Sequence, residues 1–438
     1  MTFSKRWMIL FALGILPLLL VNVSPGFFAL AIVWYAGLLG LTLWDWRTLP
    51  DWRVIRAERD VEEKLSYGEE NDVKIRVRNG TTRPLRIELR DSPPLDVPGD
   101  HPEMPFDFRV APNARHAAVY HLTPSQRGDF TFGDIYLRVF GRFGLLRNMT
   151  RVPAAQSVKV YPSLARAAEF SLMAKRGRLQ QSGIRAARLQ GAGREFESLR
   201  DYEPDDEVRR IDWKATARRG RLISRQYEVE RSQTVFLMLD VGRTMLAEVD
   251  GVPKLDYAIQ AALLLAYVAT QTEDRIGLMV FSDTVKTYLP PKKGRAQVYA
   301  ILEALYNVKA TLIEPDYRAA FADLRMRWRK RSLVVCFTDL WDADSSRQAV
   351  AELATLQPRH LVAAVTLLDT KIQRSVERDA DTIGAVYEKA IAGQVLDERT
   401  KALGTLAQRG VLVVDSPAEK LSGDLINKYL EVKQRMML

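Results

Sequence analysis

Cysteine and histidine are scarce in this sequence. A single cysteine, Cys336, excludes a disulfide framework and fits a cytoplasmic bulk. It lies in the apolar run Leu333 to Phe337, where it reads as a small buried hydrophobe. The four histidines, His101, His116, His121 and His360, are scattered. His116 and His121 fall on opposite faces of a strand, as separate surface residues rather than metal partners. Enzyme signatures are also missing. There is no G-x-x-x-x-G-K-[ST] loop to cradle ATP phosphates and no G-x-S-x-G elbow to raise a nucleophile. "GAG" at Gly191 lacks the third glycine of a dinucleotide loop, and no strand clearly precedes it. Glu195 and Asp206 can be paired on paper, but nothing in the sequence fixes their separation, and a charged loop accounts for both.

Charge is absent from Met8 to Trp44. As one helix this stretch would span about 55 Å, against a bilayer core of about 30 Å. The turn signal "NVSPG", Asn22 to Gly26, divides it into two spans, Trp7 to Val21 and Phe27 to Trp44, the first containing Pro17. Lys5 and Arg6 precede the pair, and Arg47, Arg53 and Arg56 follow it. Positive charge on both flanks puts both ends in the cytoplasm, with Trp7, Trp44, Trp46 and Trp52 at the interfaces. A cleaved signal peptide is the rival reading, and a second apolar span directly behind the first argues against it. The net charge of +10 fits anionic lipid as well as nucleic acid.

The 438 residues allow two or three domains, and an apolar fraction of 47% supplies proper cores. From Val54 to Tyr161 the texture is β: "VKIRVRNG" alternates and ends in a hairpin signal, and "HAAVYHL", "FTFGDIYLRVF" and "SVKVYP" continue it. Strands so spaced, around the Pro-rich loop "DSPPLDVPGDHPEMP", suggest a small antiparallel sandwich. Leu164 to Gly193 reads as a linker with some helix. Its basic stretch "MAKRGRLQQSGIRAARLQ" is a solvated arm or a contact for headgroups or nucleic acid.

From Val235 onward, continuous apolar strands alternate with amphipathic helices. That pattern means a doubly wound α/β domain, a parallel sheet covered on both faces. Ligands of such sheets bind beyond the carboxyl ends of the strands. Three strands end in "FLMLD", "MVFSD" and "VVCFTD", so Asp240, Ser282, Asp283, Thr338 and Asp339 should gather on one edge. The expected division is a transmembrane helical hairpin over 1–53, a β-sandwich-like domain over 54–162, a linker and arm over 163–233, and the α/β domain over 234–438.

"FLMLDVGRTM", "DRIGLMVFSD" and "VVCFTDLWD", in this order, resemble a von Willebrand factor A domain over Thr234 to Lys433. Upstream, "GAGREFESLRDYEPDDEVRRIDWKATARRGRLISRQYEVE" resembles the signature of the domain-of-unknown-function 58 family, with Asp205 in place of a turn glycine. The resemblance implies a membrane-anchored adaptor or chaperone-like component, and the missing enzyme signatures separately argue against catalysis. Its implied partner is an AAA+ ATPase of the MoxR type, and its implied work the assembly of envelope or metalloprotein complexes. It also implies a divalent-metal site of the D-x-S-x-S kind. Asp240, Thr244 and Asp339 match that site, Gly242 stands where its middle serine would be, and Thr311 or Asp316 is the uncertain counterpart of a second-loop threonine. Mg²⁺ bound weakly is the expected cofactor of so incomplete a set. The competing reading is that Asp240 and Asp339 cap the loops that follow them.

The arm Arg200 to Arg221 carries the remaining candidates. Pro204 and the acids after it suit a helix start, Val208, Ile211 and Ala215 share a face, and Gly220 can end the helix. Capping does not explain Trp213. Either the ring anchors the arm to the α/β domain, or Arg200, Arg209, Asp212, Trp213 and Lys214 form a partner-binding surface. A membrane-bound hydrolase with an unrecognised carboxylate site is the alternative function. A nucleic-acid binder is disfavoured, because acids interleave with the basic residues and no reading motif appears.

Overall fold

A computed structural model describes residues 1–20, 22, 24–94, 105–163, 195–203, 208, 211–228, 232–340, 343–378 and 382–435 of the chain. They fall into two compact units, Met1–Ser163 and Leu164–Leu438.

The first unit combines N-terminal helices with three sheets. Helices α1 (Lys5–Leu13), α2 (Ile15–Leu19) and α3 (Gly26–Thr48) come first. Among the described residues only α3 is long and apolar enough to cross a bilayer. The expected first span, Trp7 to Val21, is instead two short helices, and Val21 itself lies outside the described residues. The break falls at Gly14, not at Pro17. A Cβ at Gly14 would meet Trp34 Cδ1 at 2.5 Å and Tyr35 Cζ at 2.8 Å, so the missing side chain permits close approach to α3. Trp34 Nε1 donates to Leu10 O at 3.0 Å and Trp7 Nε1 to Thr42 Oγ1 at 3.0 Å, tying the first limb to the second.

The strands of this unit are β1 (Thr2–Phe3), β2 (Ile55–Asp60), β3 (Lys64–Ser66), β4 (Asn71–Asn79), β5 (Leu85–Arg90), β6 (Phe106–Val110), β7 (Arg115–Leu122), β8 (Gly128–Phe132), β9 (Ile135–Phe140), β10 (Leu146–Val152) and β11 (Gln156–Tyr161). They form sheets of order β1-β10-β9-β5-β6, β3-β11-β8 and β2-β4-β7. Alternate residues of β4 and β5, among them Val73, Ile75, Val77, Leu85, Ile87 and Leu89, point into one shared core. Within it, Arg59 is paired with Asp91, both side chains buried, and Tyr120 donates to the same carboxylate at 2.6 Å.

The helices are stitched to the strands by Asp45, the first acid after the charge-free stretch. It sits near the end of α3 and is fully buried. Its Oδ1 accepts from Phe143 N and its Oδ2 from Leu145 N and Leu146 N, each at 2.8 Å. A Cβ at Gly141 would collide with the same carboxylate, so this β9–β10 turn needs glycine there. The short β1 completes the seam by pairing with β10.

In the second unit, β12 (Glu195–Asp201) and β13 (Ile223–Glu228) form an antiparallel pair flanking the helix Trp213–Arg219. Then come β14 (Thr234–Asp240), the short pair β15 (Glu248–Val249) and β16 (Val252–Pro253), β17 (Arg275–Phe281), β18 (Val285–Lys292), β19 (Leu333–Phe337), β20 (Leu361–Leu368) and β21 (Leu412–Pro417). The main sheet has the order β18-β17-β14-β19-β20-β21, parallel except for the edge strand β18. Alternate β14 residues serve opposite faces. Val235, Leu237 and Leu239 pack with the helices Lys254–Gln271, Arg295–Leu305 and Ala418–Gln434; Phe236 and Met238 pack with Tyr317–Arg327, Ala343–Leu356 and Ile383–Gln408. The chain is therefore a mixed α/β protein whose largest sheet is mainly parallel and covered on both sides. Strand β18 had no sequence signal, since Pro290 and Pro291 suit only an edge.

Replacing Asp45 with Ala removes one acceptor from three N–H groups, two of them buried. The expected loss is about 3–6 kcal/mol, from ~1–2 per orphaned donor. Thermal melting of the full chain in detergent measures it, and an unchanged midpoint would show that the seam is not structural.

Candidate functional site

The strand register brings the expected residues to one level. Asp240 closes β14 opposite Phe281, so Ser282 and Asp283 follow beside it; Leu239 faces Phe337, so Thr338 and Asp339 follow on the other side. The carboxyl edge is thus assembled as the three strand endings imply.

Asp240 is wholly buried and both its oxygens are engaged. Oδ1 accepts from Gly242 N at 2.7 Å. Oδ2 accepts from Tyr317 at 2.9 Å and from Thr338 Oγ1 at 2.8 Å, and those two hydroxyls are themselves 2.8 Å apart. Three oxygens in mutual contact need three protons to complete a ring of hydrogen bonds. An ionised Asp240 leaves the ring one proton short. Burial pushes its pKa up to about 6, helped by the nearby charge of Asp339 and opposed by the Gly242, Thr338 and Tyr317 hydrogen bonds. Burial likewise drives the Tyr317 hydroxyl well above its ordinary value.

Asp339 is held differently. The Lys254 ammonium pairs with its Oδ2, and Arg399 Nη1 donates to its Oδ1 at 2.5 Å. Lys254 is 1% exposed and Arg399 7%. Arg399 also donates to Asp415 at 2.6 Å and to Leu367 O at 2.8 Å. Lys254, Asp339, Arg399 and Asp415 thus form a chain of alternating charges behind the edge. Desolvation works against the Arg399 charge, yet the two carboxylates beside it raise its pKa on balance. Neither cation was among the sequence candidates. Lys254 carried a faint signal, as a charged residue opening an otherwise apolar helical stripe. Arg399 carried none, lying 60 positions beyond Asp339.

These residues do not fit a D-x-S-x-S metal. Asp240 is saturated by internal donors, and Asp339 is already neutralised by two protein cations. A side chain at Gly242 would meet Pro315 Cδ at 2.8 Å and Ile313 O at 2.9 Å, so the loop carrying these residues leaves no room for the missing serine. The second-loop candidates are also engaged: Thr311 Oγ1 donates to Val241 O, and Asp316 caps the helix Tyr317–Arg327 through Ala319 N. Of the metal-site candidates, Thr244 keeps a buried hydroxyl without a hydrogen-bond partner among the described residues. Among the described residues, no three His, Cys, Asp or Glu side chains gather as a metal-holding group. Asp283 turns outward, held down to about 2 by Lys286 and Ser282.

The arm differs from its expected form. Its helix begins at Trp213, with Asp212 as the N-cap accepting from Ala215 N at 2.9 Å, and ends at left-handed Gly220, φ 66°. Ile211 bridges to Ser224 and so is not helical. Trp213 is 64% exposed and Lys214 is exposed, so the indole is not a core anchor of this chain. Arg200 lies on β12 opposite Ser224. Arg209, Pro204, Asp205 and Asp206 lie outside the described residues, as does His101. His116 and His121 are exposed, the latter beside Asp72, and His360 and Cys336 are buried.

Residues 198–376 match the family described as "Protein of unknown function DUF58". The uncharacterized protein Rv1480 of Mycobacterium tuberculosis (strain ATCC 25618 / H37Rv) is 25% identical over 222 residues, covering 49% of this chain and 69% of that protein. The uncharacterized protein YeaD of Bacillus subtilis (strain 168) is 29% identical over 123 residues, covering 28% of this chain and 30% of its own length. A solved structure of the conserved hypothetical protein BatB from Bacteroides thetaiotaomicron aligns over 46% of this chain and 100% of its own, at 15% identity and a TM-score of 0.27.

Three outcomes follow from the site. The folded pKa of Asp240, about 6, lies above its unfolded value of 3.8, so between these values the folded chain binds more protons. Stability should fall as pH rises through that window, by about 3 kcal/mol in total. Melting from pH 4 to 7 should show this decline relative to Asp240→Asn; parallel profiles would remove the ionisation cost. Separately, Lys254→Met should lose about 3–5 kcal/mol, because it leaves the buried Asp339 with one cation fewer. Added Mg²⁺ should leave the wild-type midpoint unmoved, and a rise of several degrees would restore the metal.

Proposed function

We propose that the chain is a membrane-tethered adaptor or chaperone-like scaffold of the inner membrane, whose von Willebrand factor A-like domain engages a protein partner, an AAA+ ATPase of the MoxR type. One contrast carries this reading. The carboxyl edge is closed by Lys254, Arg399, Tyr317 and Thr338, while Trp213 stands in solvent on a capped helix. A large exposed indole among basic residues is the composition of an interface hot spot. The order β18-β17-β14-β19-β20-β21 with one antiparallel edge supports the A-like assignment. Helix α3 supports the tether: 23 residues, about 34 Å long, with apolar side chains exposed around it. In this reading α1 and α2 return the chain, and the basic flanks keep both ends in the cytoplasm. The hydrolase alternative ranks second. Asp240 has a pKa suited to acid–base work, but it is buried and fully bonded.

Trp213→Ala tests the adaptor. Since the ring is mostly solvated, melting should shift by less than about 0.5 kcal/mol. A pull-down of the full chain from detergent-solubilised membranes should recover an AAA+ ATPase with wild type and lose it with the variant. A variant that still recruits the ATPase would take Trp213 out of the interface, and a wild type that recovers none would sink the adaptor reading.

A further inference from the structure

The first unit carries a cavity that the adaptor reading does not use. It measures about 520 Å³, the size of a small-ligand site. Five arginines line it: Arg6, Arg83, Arg86, Arg109 and Arg142. Arg86 on β5 and Arg109 on β6 are direct cross-strand partners. Like charges in that position are unfavourable unless something between them is negative. Asp107 supplies part of it, accepting from Arg86 Nε at 3.0 Å and Nη2 at 2.5 Å. Arg86 is further fixed over the Phe140 ring, 4.8 Å from its centroid. Among the described residues, Arg6, Arg83, Arg109 and Arg142 have no ion pair, so the cavity concentrates positive charge well beyond its internal compensation.

Its position narrows the ligand. Arg6 belongs to the first turn of α1, and Thr48, another lining residue, ends α3. The mouth therefore lies where the apolar helix stops. Arg142 is held there by the Asp45 seam, and Arg142 N itself donates to Thr48 Oγ1 at 3.2 Å. Phe143, also in the lining, meets Trp44 edge-on at 5.9 Å, and both rings are exposed. The site thus offers guanidinium groups to an anion and aromatic faces to a tail on the same side. Guanidinium forks match phosphate oxygens two at a time.

We propose that this cavity binds the phosphate of an anionic phospholipid, with the headgroup among Arg83, Arg109 and Arg142 and the acyl chains along α3. The lipid as source rests on the membrane-anchor reading; the anion site itself does not.

Calorimetric titration of the full chain in detergent tests it, with dioctanoyl-phosphatidylglycerol as probe and dioctanoyl-phosphatidylcholine and inorganic phosphate as comparators. Saturable binding of phosphatidylglycerol is expected, at least tenfold tighter than either comparator, and weakened at least tenfold by the triple substitution Arg83→Ala, Arg109→Ala, Arg142→Ala. Should the triple variant melt below wild type, Arg109→Ala alone gives the same comparison with a severalfold loss. Affinity unchanged by the substitutions, or equal for phosphatidylcholine, overturns the site. Inorganic phosphate binding as tightly as phosphatidylglycerol overturns the lipid and leaves a free anion. Alkaline carbonate extraction of membranes reads the anchor separately: release of the chain defeats the tether without touching the titration.

Discussion

Lys254 and Arg399 converge on Asp339 where all three side chains are almost out of solvent. An isolated carboxylate there would have to neutralise, because the desolvation of a bare charge is many kcal/mol. Two cations on one carboxylate leave an excess of positive charge, which Asp415 takes up through Arg399. The chain of charges ties together four separate elements: the start of the helix Lys254–Gln271, the end of β19, the helix Ile383–Gln408 and β21. Both faces of the sheet are involved, since the first helix packs on one side and the third on the other. The carboxyl edge therefore has a fixed geometry that does not wait for a ligand.

The first unit solves the same problem with backbone donors. Among the described residues no cation is in hydrogen-bond contact with Asp45; three N–H groups of the β9–β10 turn take that place. A carboxylate so placed demands that the turn stay put, and Gly141 is the accommodation the turn makes. The consequence is mechanical. The end of α3 and the strands move together, which sets the cavity arginines at a constant distance from the apolar helix. A flexible link after Thr48 would leave the same arginines without a defined depth.

Much of the α/β unit was legible because buried parallel strands leave continuous apolar runs. "FLMLD", "MVFSD" and "VVCFTD" marked both the strands and the edge. What escaped was long-range or steric. Arg399 reaches Asp339 across 60 positions, and no local pattern in a mixed helix announces that a charge points inward. Lys254 reads locally as a solvated first-turn residue. Tyr317 reads as part of a helix face, whereas its hydroxyl completes the Asp240 cluster. Gly242 was visible as a departure from the metal pattern, but the reason, the crowding from Ile313 and Pro315, belongs to a loop far along the chain. In the first unit, composition alone suggested two spans. The break at Gly14 comes from an indole packed against it, which hydropathy does not register.

A lysine in place of a divalent ion changes what the edge can recognise. A metal with an open coordination position attracts an acidic group from a partner, and its occupancy varies with conditions. An ammonium buried against its own carboxylate carries a single fixed charge and is already bonded, so it offers no vacant position to an incoming ligand. The edge then contributes rigidity, and in the proposed adaptor role recognition falls to surface features elsewhere in the chain. In that proposal the exposed Trp213 of the second unit is the candidate, on a short helix closed at one end by the Asp212 cap and at the other by Gly220. An indole held on a helix capped at both ends loses little freedom on binding, which makes it a better anchor than the same ring on a loose loop.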